Sequence, residues 1–400
     1  MKKIYVFPVK YPYTQTVEGF LHDEVPYLER EFDEIIFVPL KTQVPEYKKL
    51  GWNCKIEKPL FKSKFYFLSH GLFNKRISPM MFKDLIGKGT LWDLKKLKVW
   101  MIGYFTMNNI LNSPTIKIIE ENLKVDDVCY FYWGKWSNIL AYFWKGKAKC
   151  VSRFHGWGDL WEQNSHEYFP LREKVAHSLL FAAHISSIGE AYFKKKYPYC
   201  KTQIRRLGAF DQGVSLKSKE GEINVFSCST LWPLKRVDLI LKSVALLSKS
   251  VKEKVRWTHI GGDEEGMENI YSTINLSDYP NLEVISAGRI SHVEVLELYR
   301  THPCDIFINM STVEGVPVSI MEAISFDIPV VATKVGGTPD IVINGKSGRL
   351  VSANPNEQEV VDALQDVYKN RHTYQARELW KEFYDGDKNY SEWAKTLCEL

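Results

Sequence analysis

No run of eighteen apolar residues occurs anywhere in this 400-residue chain, so no membrane-spanning helix is expected. Cysteine is scarce and scattered, at Cys54, Cys129, Cys150, Cys200, Cys228, Cys304 and Cys398. The number is odd and no two are spaced as CxxC. Neither a zinc site nor a disulfide framework is indicated, and a reducing cytosol fits. The opening MKKIYVFPVKYPY has two lysines and then a short apolar stretch broken by Pro8, Lys10 and Pro12. It reads as a first strand rather than a leader peptide. No G-x-G-x-x-G follows that strand, which argues against a nicotinamide enzyme. Ile86–Thr90 echoes a phosphate loop only superficially, because the G-x4-GK spacing fails. Gly261–Gly266 lacks the twelve-residue ligand spacing of a calcium loop. Asp126-Asp127 is no convincing metal motif, so no essential divalent ion and no resident cofactor are expected. There is no internal repeat and no low-complexity segment.

What is present is ample apolar material, 45% of residues, with a net charge of +5. A chain of this length can bury two cores. Short apolar strands alternate with helical stretches: Ile4–Val9, Glu34–Pro39, Val128–Trp133, Lys149–Phe154, His184–Ile188 and Gln203–Leu207 are the expected strands of the first half. That rhythm means parallel α/β. The polar stretch Gly208–Glu222 reads as a linker, after which the rhythm restarts. Strands are expected at Asn224–Ser229, Val255–Gly261, Leu282–Ser286, Asp305–Met310 and Pro329–Thr333. Helices are expected at Lys235–Lys249, His292–Thr301 and Val318–Ser325. The helix at Lys235 rests on Val237, Ile240, Leu241, Val244 and Leu247, which recur at helical spacing. The tail Thr373–Leu400 has helical spacing and many aromatics.

The most informative stretch is Asp305–Asp340, DIFINMSTVEGVPVSIMEAISFDIPVVATKVGGTPD. A strand ends in a loop bearing Glu314, and Pro317 suits the first position of the next helix, where a missing N–H costs nothing. That helix bears Glu322. A second strand runs into Gly336-Gly337-Thr338-Pro339, another glycine-opened turn. Two strand-to-helix turns therefore lie side by side at the carboxyl ends of parallel strands, where open α/β sheets bind ligands. Free N–H groups at a helix start suit an anion such as a diphosphate. Ionised carboxylates accept from both hydroxyls of a sugar diol. Diphosphate plus diol describes a nucleotide sugar.

The segment resembles the donor-site signature of the retaining group 1 glycosyltransferases (family four), in which two glutamates are separated by seven residues within EG-x-P-x-S-x-x-E-A. Here the matching residues are Glu314, Gly315, Pro317, Ser319, Glu322 and Ala323. The resemblance implies the GT-B fold, with two facing Rossmann-like domains and a cleft between them. It covers most of the chain: residues 1–208 as acceptor-binding domain, 209–375 as donor-binding domain, and 376–400 as a helical tail, of which Glu392–Leu400 could return to the first domain.

The resemblance also implies roles residue by residue. Glu314, His155 and Lys235 would be catalytic. Glu322, Gly315, Val318, Ser319, Ile320, Gly261 and Arg236 would line the donor. Lys235 matches the family's diphosphate lysine, but the accompanying arginine position falls on Thr230. Arg236 is adjacent to Lys235, yet successive helical residues point about 100° apart, so it does not simply replace that arginine. Ser152–Leu160 is similar to the family's S-R-x-H-G turn, with one extra residue between His155 and Asp159. The loop after the first strand lacks the glycine pair many members carry. Its Tyr11-Pro12-Tyr13 with a following glutamate resembles members that build bacterial surface polysaccharides. Thr16, Glu18 and Asp159 are the acceptor-side candidates.

The implied reaction is transfer of a sugar, with retained configuration, from a nucleoside-diphosphate sugar to a hydroxyl of a glycan or lipid-linked glycan. Two alternatives stand beside it: a nucleotide-sugar epimerase or hydrolase on the same fold, and a non-catalytic nucleotide-sugar-binding subunit. Between Lys55 and Lys98 there are eleven Lys or Arg against three Asp or Glu, interleaved with aromatics through Trp100. This pattern fits peripheral contact with an anionic membrane from the cytoplasmic side, and equally a solvated basic face over an ordinary core. No recognisable RNA or DNA module accompanies it, so nucleic acid is not an expected partner.

Overall fold

A strand buried on both faces is apolar along nearly all its length, and several of the short runs meet that condition. All four residues of Val128–Phe131, Ile306–Asn309 and Val330–Thr333 are buried in the computed structural model, which describes residues 2–13, 18–41, 50–61, 69, 71–156, 159–160 and 167–400. The chain divides into two units, Met1–Arg205 with Tyr390–Leu400, and Arg206–Asn389.

In the first unit the strands are β1 (Lys3–Phe7), β2 (Glu34–Phe37), β3 (Cys54–Ile56), β4 (Val128–Phe131), β5 (Lys149–Phe154), β6 (Phe181–His184) and β7 (Thr202–Ile204). They form one parallel sheet in the order β3-β2-β1-β4-β5-β6-β7. The order reverses direction between β1 and β4, and at such a switch the loops beyond the two strands part and leave a crevice. Phe7, Phe131 and Trp144 pack under this point, with ring centroids 4.9 Å apart for the first pair.

In the second unit the strands are β8 (Glu222–Cys228), β9 (Lys254–Ile260), β10 (Leu282–Gly288), β11 (Ile306–Asn309), β12 (Val330–Thr333) and β13 (Gly348–Val351). Again all pairs are parallel, in the order β10-β9-β8-β11-β12-β13. Here the switch lies between β8 and β11. Helix Val237–Ser250 covers one face, burying Val237, Ile240, Leu241, Val244 and Leu247, the residues whose spacing predicts it.

Several expectations are corrected. The strand expected at His184–Ile188 lies earlier, at Phe181–His184, because Ser186 caps a helix over Ser187–Lys196 and accepts from Gly189 N at 3.1 Å. The helix expected from Lys235 begins at Val237, after a 3-10 turn over Pro233–Lys235. Pro317 is the residue before helix Val318–Ser325, with extended backbone, rather than its first member. The edge strands β3 and β13 were not anticipated; each is short and carries an outward charge, Lys55 and Arg349.

The tail divides at Tyr390 rather than separating at residue 376. Residues up to Asn389 are held in the second unit: Trp380 Nε1 donates to Ala209 O at 3.0 Å, and the Arg377 guanidinium donates to Asp211 at 2.6 Å. Beyond that, Trp393 Nε1 donates to Glu24 Oε1 at 2.9 Å inside the first unit. All seven cysteines are free. Among the described residues no helix is long and apolar enough to cross a membrane, and no cluster of metal-ligating side chains occurs.

Candidate functional site

The two loops that flank the switch of the second sheet are tied together at their backbones, where Thr312 N donates to Leu234 O at 2.8 Å. This brings Lys235, at the end of the 3-10 turn after β8, to Glu314 in the loop after β11. Their Nζ and Oε1 are 2.6 Å apart. Asn309, the last residue of β11, also points its amide at that oxygen from 3.4 Å. Gly336, from the turn after β12, has φ +48° and lies so close that a Cβ would sit 1.8 Å from Glu314 O. Only glycine lets these two loops approach so nearly. Gly261 plays the same part on the other side: its φ is +117°, and a Cβ would meet Ser229 O at 2.1 Å.

Helix Val318–Ser325 starts beside this pair. Its first N–H groups, at Val318, Ser319 and Ile320, have no carbonyl one turn back within the helix and so present a positive terminus. Gly315 stands on the approach to it, with its carbonyl accepting from Gly337 N at 2.7 Å. Glu322, one turn in, is buried, and its Oε1 lies 2.8 Å from His292 Nε2. The His292 ring is mostly exposed, at the start of a helix over His292–Thr301 whose Ser291 and Glu294 form a capping box. Cys228 ends β8 nearby; burial and then the Glu322 charge push its thiol up to about 12. It is therefore an inert thiol, not a nucleophile.

Arg236, named with the donor-lining set, has another occupation. It sits in the left-handed region (φ 49°, ψ 47°), and its guanidinium donates to Met310 O at 2.6 Å, Ala353 O at 2.9 Å and Ser311 O at 3.3 Å. It thus clasps the chain ends beyond β11 and β13. Thr230 is exposed.

The first unit gathers its candidates around the ends of β1, β4 and β5. His155 Nε2 is 2.9 Å from Tyr132 O, and its ring lies between those of Tyr132 and Trp133, at 4.7 and 4.5 Å. Burial and then the Arg153 guanidinium hold its pKa well below the usual histidine value. The ring is neutral, Nε2 carries the proton given to the carbonyl, and Nδ1 is left as an acceptor. Asp159 is fully buried and accepts from His155 N at 2.8 Å, while Lys135 Nζ is 3.9 Å from its other oxygen. Burial raises its carboxyl pKa. Asp159 therefore pins the turn on which His155 rides.

Glu18 is also buried, and its carboxylate accepts four N–H groups: Val9 N (2.7 Å), Lys10 N (2.8 Å), Tyr11 N (2.6 Å) and Trp133 Nε1 (2.6 Å). It staples the loop after β1 to the end of β4. Thr16, the other acceptor-side candidate, lies outside the described residues, as do Trp157 and Gly158 of the histidine turn.

Sequence reasoning missed His292 as a partner of Glu322, Trp133 as a partner of Glu18, and Arg172, whose Nη2 donates to Asp159 O at 2.6 Å. It also missed the fully buried pair Arg153–Glu24, at 2.5 Å. No local signal could have found these, since each joins residues at least thirteen positions apart.

Residues 211–383 match the family model described as glycosyl transferases group 1. A 92-residue stretch is 36% identical to sucrose-phosphate synthase 4 of Arabidopsis thaliana, covering 22% of this chain and 8% of that one. An uncharacterized glycosyltransferase of Methanocaldococcus jannaschii is 26% identical over 168 residues, 41% of this chain and 43% of its own. The chain thus spans about half or less of the length of these curated relatives. Among solved structures, the lipopolysaccharide outer core galactosyltransferase WaaB aligns over the whole of both chains with a TM-score of 0.66 at 14% identity. Sucrose-phosphate synthase from Thermosynechococcus elongatus aligns over 100% of this chain and 99% of its own, with a TM-score of 0.67 at 13% identity. HepE of Anabaena, solved in complex with UDP, aligns over the whole of both chains with a TM-score of 0.63 at 13% identity. The fold is that of the GT-B glycosyltransferases, and within it residues 211–383 are similar to the group 1 glycosyl transferases.

Proposed function

We propose that this protein transfers a sugar from a nucleoside-diphosphate sugar to a hydroxyl of a glycan or lipid-linked glycan, with retention of configuration, in the building of a surface polysaccharide. The observation that carries this reading is the Lys235–Glu314 contact at the switch point, beside a helix N-terminus and one helical turn from the buried Glu322. UDP bound to a neighbour of the same fold supports the nucleotide half of the reading.

In this reading Glu322 accepts from the ribose diol. Lys235 and the N–H groups at Val318–Ile320 neutralise the leaving diphosphate, where charge develops as the bond breaks and preorganised donors act most strongly. Glu314, released from Lys235 by the incoming diphosphate, contacts the sugar. His155 accepts from a sugar hydroxyl through Nδ1. The acceptor oxygen bonds to the anomeric carbon as the carbon–phosphate oxygen bond breaks. The departing phosphate oxygen takes the acceptor's proton on the same face. No covalent sugar intermediate and no divalent ion are part of this scheme.

The test is incubation of purified protein with UDP- and GDP-sugars, with and without lipid-linked glycans, followed by mass spectrometry. A sugar added to the acceptor, with the donor stable when alone, is the expected result. Rapid conversion of the donor without acceptor would identify an epimerase or hydrolase instead. Nucleotide binding with no transfer to any acceptor would identify a binding subunit.

A further inference from the structure

In the first unit, helices Ser78–Gly87 and Leu94–Asn112 run antiparallel, joined by a turn over Thr90–Trp92. Trp100 Nε1 donates to Met81 O at 2.9 Å, and Tyr104 OH contacts Ser78 Oγ at 3.2 Å. Their inner faces bury Met81, Leu85, Val99 and Met107. An outer face over such a core is ordinarily polar. Here it is not. Ile86, Leu91, Trp92, Leu94, Met101 and Ile102 are all exposed, Trp92 at 91% and Leu94 at 83%. Lys83, Lys88, Lys95 and Lys98 are exposed among them.

The charge on this hairpin is one-sided in effect. Its two carboxylates are engaged locally: Asp84 accepts from Tyr168 OH, and Asp93 caps the second helix by accepting from Lys95 N at 2.9 Å and Lys96 N at 3.1 Å. Lys88 approaches Glu173 at 3.8 Å, but Lys83, Lys95, Lys96 and Lys98 have no ion-pair partner among the described residues. A protein partner suited to so much apolar surface would leave these ammonium groups desolvated. A bilayer suits both: apolar side chains enter the acyl boundary, tryptophan sits at headgroup level, and long lysine stems reach back to anionic headgroups.

We propose that the tip of this hairpin, centred on Trp92 and Leu94, is a docking surface for an anionic lipid bilayer. The proposal extends the reading of a lipid-linked acceptor by naming where its membrane is met. It is tested without donor or acceptor, so failure of one reading is distinguishable from failure of the other.

The experiment is co-sedimentation of the purified full chain with phosphatidylglycerol-containing vesicles and with pure phosphatidylcholine vesicles. Binding to the anionic vesicles at low salt is expected, with release near half-molar salt, where the Debye length falls to about 4 Å. Both W92E/L94E and K95E/K98E should bind roughly tenfold more weakly or worse, since each lysine near an anionic surface contributes about fivefold. UDP affinity and melting temperature should be unchanged, because all four side chains are at or near the surface. Wild-type protein that ignores anionic vesicles would overturn the proposal. So would equal binding to neutral vesicles, or full binding by both variants. A concentration-dependent dimer that W92E/L94E abolishes, with no vesicle binding, would make this face a contact between copies and equally overturn it.

Discussion

Lys235 Nζ rests 2.6 Å from Glu314 Oε1, joining two loops whose sequence positions are 79 residues apart. Each charge answers the other. A diphosphate entering at the helix start would take the lysine and free the carboxylate for the sugar. Lys235→Ala should therefore lower turnover about a hundredfold or more, the range for removal of one charge-stabilising donor. Steady-state rates at saturating donor check this; a wild-type rate would place the diphosphate elsewhere. Thr230→Arg, at an exposed position, should keep or tighten donor binding.

Glu322→Ala should weaken UDP or GDP binding by roughly tenfold to a hundredfold, because hydrogen bonds to a charged acceptor contribute about 1.5–3 kcal/mol. His292 orients that carboxylate from 2.8 Å. His292→Ala should weaken binding by only about fivefold, the value of one ordinary hydrogen bond, and His292→Gln, which retains an N–H donor, should recover much of it. Calorimetry separates the two, and unchanged affinity in Glu322→Ala would remove the ribose from this residue.

Glu18 accepts four N–H donors in a buried setting. Glu18→Ala strands them together, at about 1–3 kcal/mol for each that water does not reach. A net loss of about 3 kcal/mol would lower the melting temperature of a unit this size by roughly 6–12 °C. Calorimetric scanning should show the loss in one transition while nucleotide affinity survives. A variant of wild-type stability that loses only acceptor use would return Glu18 to a direct acceptor role.

His184 is buried, and neither ring nitrogen has a hydrogen-bond partner among the described residues. Burial lowers its pKa to about 3 and that of His259 to about 4. A histidine whose folded pKa is depressed takes up its proton more readily when unfolded. Its contribution is therefore intact above the unfolded value, about 6.5, and is lost as the pH falls from there toward the folded pKa. Each group removes about 1.4 kcal/mol per pH unit within that window. His184 stacks on Phe154 with centroids 5.0 Å apart and planes at 17°. His184→Phe preserves the stack and should flatten the acid limb between pH 6.5 and 4. An unaltered pH–stability curve would mean His184 is not held neutral.

Much of the molecule was readable in one dimension. Lys149–Phe154 and His292–Thr301 fall at the residues where their patterns place them, because strand period, helix period and the Ser291 cap act within a few residues. The strand–loop–helix that carries Glu314, Gly315, Ser319 and Glu322 was readable for the same reason, since its local geometry needs no distant partner to form. The edges β3 and β13 escaped because a short strand with one solvated side carries little apolar signal.

The sequence by itself determined the α/β alternation and the glycine-opened turns, since each follows from apolar periodicity or from a backbone only certain residues adopt. Tertiary structure alone decided the partners. It turned Arg236 onto the carbonyls of Met310, Ser311 and Ala353, made Glu18 a buried staple, set His292 against Glu322, and moved the division of the tail to Tyr390. In each case the deciding contact spans many residues. Which charge meets which depends on strand order, and strand order is settled by the packing of whole sheets rather than by neighbours along the chain.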